Sequence, residues 1–342
     1  MNFITSVIAK TDEFQNLKTE ILNSRLPAGV YGLSHIHKII TASSIISDMK
    51  HPALYITADE FAMQKAKEDF EALGHRVLEF PTRDFTPREV LSHSKQFEQM
   101  RTGTLSKIIE GDFEVVVTTV EAAMSRTIPK KLLKSRFFIL NKDTCIKKEA
   151  LISKLLVAGY TNCSQVENAG EFAVRGSVFD IFTPNYSNPC RIDFWDESID
   201  SISFFDIETQ RRTEAVDTVT VTPAAENTPQ SVEDLAQKLL ILSENSEMSQ
   251  EYKAGVLSDR DNLLNGLQIN YDAYLSQIFD EFSTIFDYFE DMVFVSDTAM
   301  VYEKAAGVLK TEAIEYESLL EEGVLPKACD FFYISDSEFK SV

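Results

Sequence analysis

Between Gly32 and Ile39 the chain reads GLSHIHKI. The distance from its glycine to its lysine is that of a phosphate-binding P-loop, G-x-x-x-x-G-K-[ST]. Gly32 and Lys38 keep that pattern. His37 stands where the second glycine lets the backbone approach the phosphates, and Ile39 where a hydroxyl holds magnesium. The spacing is either a coincidence or the remnant of a working loop. In both cases the phosphate nest and the metal ligand are lost together, so no nucleotide is expected here. His35 and His37 flank Ile36 with no further His or Cys nearby, which reads as solvated or capping histidines. His51, His75 and His93 are isolated and support no triad. Cys145, Cys163, Cys190 and Cys329 are scattered singly without a CxxC spacing, so neither a zinc site nor a disulfide framework is indicated. Asp180 and Asp193 are the remaining carboxylate pair, and nothing in the sequence makes them converge. No catalytic residue, metal site or cofactor is expected.

The other chemistry available is recognition. In Arg191-Ile192-Asp193-Phe194-Trp195 the period of two places Ile192 and Phe194 on one face of a strand, and Arg191, Asp193 and Trp195 on the other. Trp and Arg are the residue types that dominate binding hot spots. The ring of Trp195, the only Trp in the chain, either lies against a neighbouring domain or belongs to a docking surface. Arg175 is followed by Gly176, which would mark a bulge that re-aims the arginine. The surrounding stretch, 170–212, alternates β-formers with turn signals at Pro184-Asn185, Asn188-Pro189 and Asp196-Glu197. It predicts an antiparallel three-strand meander with Ile202 and Phe204 inward.

The elements that must carry these residues alternate. Strand-like runs at Ala28–Tyr31, Ala53–Thr57, Arg76–Phe80, Phe113–Thr118 and Phe137–Leu140 are separated by helix-like segments near 38–49, 60–73, 89–110 and 120–126. This predicts an α/β fold, a parallel sheet with helices on both faces and ligand sites at the carboxyl ends of its strands. Before the first run, Thr11 can cap a helix bearing Phe14, Leu17, Ile21 and Leu22. The long helix after a Pro-bounded loop at 80–87 should turn Phe97, Met100, Leu105 and Ile108 to the core. Lys147–Ala158 reads as an amphipathic helix, and Ser231 as the cap of a helix with Val232, Leu235, Leu239 and Leu242 on one side. Phe279, Phe282, Ile285, Phe286 and Phe289 read as a core stripe. Ile269–Tyr274, Met292–Val295 and Phe331–Ile334 are short enough to be strands.

At 342 residues the chain has room for two or three domains, and its 44% hydrophobic and 25% charged content is that of a globular protein. No run approaches the ~20 apolar residues of a membrane span. The N-terminus has no secretory pattern, so a cytoplasmic location is expected. The net charge of −21 is uneven: residues 151–226 hold 5 basic and 12 acidic side chains, and residues 227–342 hold 7 and 23. Nucleic-acid binding requires phosphate neutralisation by Lys and Arg, which this balance disfavours.

GEFAVRGSVFDIF followed by RIDFWDESIDSISFFDIETQRR resembles the second domain of the bacterial transcription-repair coupling factors, relatives of the excision-repair protein UvrB. An Arg-Gly, an Arg-hydrophobic-acidic-Phe-aromatic run and an Asp-x-x-Thr-Gln-Arg element carry the likeness, which extends more loosely over nearly the whole chain. The resemblance implies a UvrB-like first domain with a degenerate P-loop NTPase-like sheet, divided into residues 1–143 and 227–342. A small α+β domain, 144–226, would be inserted between them and dock on UvrA, and the boundary falls near Asn141–Thr144. It implies UvrA contacts at Arg175, Arg191 and Trp195, where the family often has Phe at the last position. It makes Gly32, His37, Lys38 and Ile39 a vestigial P-loop. The chain then reads as an N-terminal piece of a longer protein, with RNA polymerase, DNA, ATP and magnesium engaged only by parts absent from it. The alternative is a UvrB-type ATP-dependent DNA-loading subunit, which would need the intact P-loop and helicase motifs that this sequence lacks.

Overall fold

The structure is a computed structural model that describes residues 3–23, 26–83, 95–229, 231–246, 248–265, 267, 269–289, 292–322 and 332–341. Its strands in chain order are β1 (Ala53–Thr57), β2 (Val77–Phe80), β3 (Val115–Thr119), β4 (Phe138–Asn141), β5 (Thr161–Asn162) and β6 (Glu171–Arg175). They continue with β7 (Val178–Phe182), β8 (Cys190–Trp195), β9 (Ser198–Phe205), β10 (Arg212–Val216), β11 (Thr218–Val221) and β12 (Met292–Val295).

β1 and β3 are short apolar runs buried on both faces, as central parallel strands must be, and β2 is a half-buried edge strand. With β12 they form a parallel sheet of order β12-β1-β3-β2. Alternate side chains feed two cores. Ala53, Tyr55, Val115 and Val117 pack under the helices His35–Met49 and Glu60–Ala72. Leu54, Ile56 and Val116 pack under a larger core that takes Leu105, Leu239, Val301 and Phe286 from later segments. The expected α/β sheet with helices on both faces is therefore present. Thr11 accepts from the amide of Phe14, and Ser231 from that of Asp234, so both expected caps form. The Phe279–Phe289 stretch is core, though it is carried on a loop and one short 3-10 turn, Ile285–Tyr288.

Several expectations fail for local reasons. Ala28–Tyr31 is not a strand: two glycines flank its only two β-formers, and Tyr31 is 91% exposed with no core to join. Phe137–Leu140 gives β4, which leaves the parallel sheet and pairs antiparallel with β11, burying Leu140 in a separate core with Leu151, Leu155, Phe172 and Ile192. Ile269–Tyr274 holds a 3-10 turn at Tyr271–Tyr274, and Tyr333 makes only an isolated bridge to Ser125. On the helix Lys95–Glu110, Leu105 and Ile108 are buried as expected, but Phe97 faces out while the polar Arg101, Thr102 and Ser106 face in. Asp84–Pro87 and His93, named in the sequence reading, lie outside the described residues.

That polar helix face is the seam between the parallel sheet and the unit built on β5–β10. Arg101, fully buried, donates from Nε to Glu226 at 3.0 Å, from Nη1 to the Pro81 carbonyl at 3.0 Å and from Nη2 to Ser125 at 3.0 Å. Arg83 donates to the other oxygen of Glu226 at 3.2 Å, and the Thr127 hydroxyl adds a bond at 3.2 Å. Arg101 lies 4.0 Å above the Phe80 ring. Burial pushes Arg101 below the usual guanidinium range, and Glu226 opposes that shift. Two residues along, Gly103 lets the helix backbone meet the loop after β7: a Cβ there would stand 2.4 Å from the Pro184 carbonyl oxygen.

Candidate partner-docking surface

The 170–212 stretch forms more strands than the three expected. Order β10-β9-β8-β7-β6-β5 gives a six-stranded sheet, antiparallel except for the β5–β6 pair. Gly176 marks no bulge. With φ 62° it opens a two-residue hairpin loop between Arg175 and Val178, the position at which type II′ turns place glycine. The run read as one strand is thus two, β6 and β7, and β7 separates Arg175 from β8.

One face of this sheet is core, with Phe172, Phe179, Ile192 and Ile202 buried and Phe204 packed against them, as the period of two predicts. The opposite face holds Arg175, Asp180, Arg191, Asp193, Ser201 and Ser203. Asp180 lies directly across the ladder from Arg191 and is almost wholly buried. Its carboxylate accepts a fork from Arg191, Nε at 2.7 Å and Nη2 at 2.9 Å, and a further bond from Arg175 Nη2. Arg175 therefore reaches the common face by leaning over β7 onto the acid beneath it. Arg191 is held from a second side by Gln210, whose backbone carbonyl accepts at 3.0 Å and side-chain oxygen at 3.1 Å. Gln210 takes φ 58°, uncommon for a residue with a Cβ, in a turn fixed by Asp206. The guanidinium lies 4.2 Å above the Phe205 ring. Hydrogen bonding to Asp180 holds Arg191 above its ordinary range against the opposing effect of burial.

Asp193 forms a second pin. Burial alone would raise its pKa; Arg212, bonded at 2.8 Å, and the Ser201 hydroxyl at 2.6 Å reverse that and hold the carboxyl below its usual range. Asp180 and Asp193 are thus not a convergent pair; each anchors arginine. Trp195 closes β8 beside the Asp196-Glu197 hairpin loop, and its ring is 80% exposed rather than laid against a neighbouring domain. The sequence assigns no role at this surface to Asp180, Gln210 and Arg212. The one available signal was the position of Asp180 across a strand pair from Arg191, which requires knowing the register.

The Gly32–Ile39 stretch lies elsewhere, at the start of the helix His35–Met49. Gly32 has φ 81°, His37 bonds Ser34 at 2.7 Å, and Ile39 is fully buried in the core under that helix. The Lys38 ammonium is paired with Asp297, just past β12. His35 pairs with Asp69 at 2.9 Å. The strand that should precede a P-loop is missing, so this stretch has the helix that follows the motif but not the strand before it. Among the described residues no group of His, Cys, Asp and Glu is arranged to hold a metal ion, and no helix is long and apolar enough to cross a membrane.

A family model described as the UvrB interaction domain matches residues 138–226, from the start of β4 to Glu226. The chain is 24% identical over 338 residues to the transcription-repair-coupling factor of Bacillus subtilis, covering 94% of this chain and 29% of that protein. It is 26% identical over 315 residues to that of Staphylococcus haemolyticus, covering 86% and 26%, and 25% identical over 343 residues to that of Staphylococcus epidermidis, covering 94% and 28%. The chain spans less than a third of the length of these curated relatives. On these matches the chain is similar to the transcription-repair-coupling factors over most of its length, and its residues 138–226 match the UvrB interaction domain.

Proposed function

We propose that this chain is a docking module of transcription-coupled excision repair. Its UvrB interaction domain binds UvrA through Arg175, Arg191 and Trp195, and so brings UvrA to a stalled RNA polymerase. The observation that carries the reading is the sheet face itself. Two of the three residues share the buried carboxylate of Asp180, and the third is a Trp ring left in solvent two residues beyond Asp193. Exposed aromatic rings and preorganised arginines are what a protein partner can use. The reading gives the module no nucleotide to bind, and the burial of Ile39 and the pairing of Lys38 with Asp297 support that. Its charge of −21 makes duplex DNA a partner for other polypeptide, not for these residues.

The test is a titration against purified UvrA. Wild-type protein should bind saturably. Arg191→Ala and Trp195→Ala should each weaken binding at least thirty-fold, about 2 kcal/mol, with an unchanged melting temperature for Trp195→Ala. If Arg175→Ala, Arg191→Ala and Trp195→Ala all bind like wild type while folded, the docking surface lies elsewhere.

A further inference from the structure

We infer that Arg212 is a third partner-facing guanidinium of this surface and that it meets acidic side chains on the bound protein; the inference rests on the docking reading above. Residues 151–226 carry 5 basic side chains, and three of them, Arg175, Arg191 and Arg212, converge on one sheet face. A guanidinium has five N–H donors. Arg191 uses four of them on Asp180 and Gln210, and its side chain is 14% exposed, so it has one donor left for a partner. Arg175 uses one donor, on Asp180, and is 45% exposed.

Arg212 resembles Arg175. Its Nη1 reaches Ser203 at 2.9 Å and Asp193 Oδ2 at 2.8 Å, and its Nη2 reaches Asp193 Oδ1 at 2.8 Å. That leaves Nε and one Nη2 hydrogen unused on a side chain 42% exposed. The fork on Asp193 fixes the plane of the group, so its free edge is presented without further ordering. The two open guanidiniums thus lean inward from opposite sides of Arg191, onto β7 and across β9, with Trp195 beyond Asp193 on the same strand. A partner with carboxylates matches this arrangement, because guanidinium binds carboxylate bidentately.

The experiment titrates UvrA with wild-type protein and with Arg191→Ala, Trp195→Ala, Arg212→Ala and Asp193→Asn, at low and at physiological salt. Arg212→Ala should weaken binding about tenfold at low salt and less at higher salt, because a partly exposed charged contact is screened. Asp193→Asn keeps the arginine and should cost less than half of that loss on a logarithmic scale. If Arg191→Ala and Trp195→Ala bind like wild type, the docking reading fails and this inference falls with it. If those two weaken binding while Arg212→Ala stays within twofold of wild type, the docking reading stands and the role of Arg212 is overturned. It is also overturned if the Arg212→Ala loss is the same at both salt concentrations and is matched by Asp193→Asn, since that pattern belongs to a residue that only braces the sheet.

Discussion

Glu226 and Asp180 each hold two arginines, and in each case one of the pair lies flat on a phenylalanine. Arg101 sits on Phe80 at 4.0 Å and Arg191 on Phe205 at 4.2 Å. Their surroundings separate them. Glu226, Arg101 and Arg83 are all buried in the seam between the parallel sheet and the β5–β10 unit. Asp180 is buried, but Arg175 rises from it into solvent and Arg191 is only partly covered. The pKa directions follow that difference: burial dominates at Arg101 and lowers it, whereas hydrogen bonding dominates at Arg191 and raises it. One grouping, closed on all sides, joins two parts of a fold. Opened on one side, it leaves guanidinium donors exposed to solvent.

The contrast is broken most directly at Glu226. Glu226→Gln removes the carboxylate that Arg101 needs and one of the two that pair with Arg83, which keeps Glu98 at 3.5 Å, so Arg101 is left a buried cation without its counter-charge. Breaking a buried pair in this way typically costs ~3–5 kcal/mol. Denaturant unfolding should show a loss of that size, with wild-type UvrA affinity for the fraction that remains folded. A loss under about 1 kcal/mol would mean that water reaches the seam and that the two groupings are alike.

At the open site the large effect should be on binding. Trp195→Ala should leave stability within about 0.5 kcal/mol, as for exposed substitutions generally, while lowering UvrA affinity by ~2–4 kcal/mol. A lowered melting temperature would show that the ring braces the hairpin. Asp180→Asn falls between these cases. Hydrogen bonds to charged groups contribute ~1.5–3 kcal/mol, and here they fix two arginines that solvent can partly rescue. Stability and UvrA affinity should therefore both fall by about 1–2 kcal/mol. If affinity is untouched, Arg175 and Arg191 do not need their common anchor.

The two groupings also differ in how much of them the sequence discloses. Arg191 and Trp195 were legible because a half-buried strand sorts its residues with a period of two, and that pattern needs no partner strand. Asp180 was not, because a lone acid in a strand reads as surface until the β7–β8 register sets it opposite Arg191. Arg101 was hidden more deeply. It is a charged residue on a helix that reads as amphipathic, and its acid lies 125 positions away. The core strands β1 and β3 and the helix caps were readable from local pattern and chemistry. The false strand at Ala28–Tyr31 shows the limit of the same method: four residues have too little periodicity to reveal that no sheet edge receives them.

A third carboxylate–cation pair sharpens the comparison at its weak end. Lys38 and Asp297 join the start of the helix His35–Met49 to the chain just past β12, with side chains 25% and 51% exposed. This pair has one cation, no stacking ring and ready access to water. Exposed ion pairs contribute ~0–1 kcal/mol, so Asp297→Asn should move the unfolding free energy by less than either grouping above. The same variant tests the Gly32–Ile39 stretch. If Asp297 were merely occupying a working phosphate site, neutralising it would free Lys38 and Mg-ATP would bind. No binding heat is expected, because Ile39 is packed in the core where a hydroxyl would have to reach magnesium, and His37 still bonds Ser34 at the turn. A saturable micromolar titration by Asp297→Asn would show instead that the site is blocked rather than lost. Lys38 would then stand with Arg191 as a cation held ready for a ligand, and the closed seam at Glu226 would be the exception among the three.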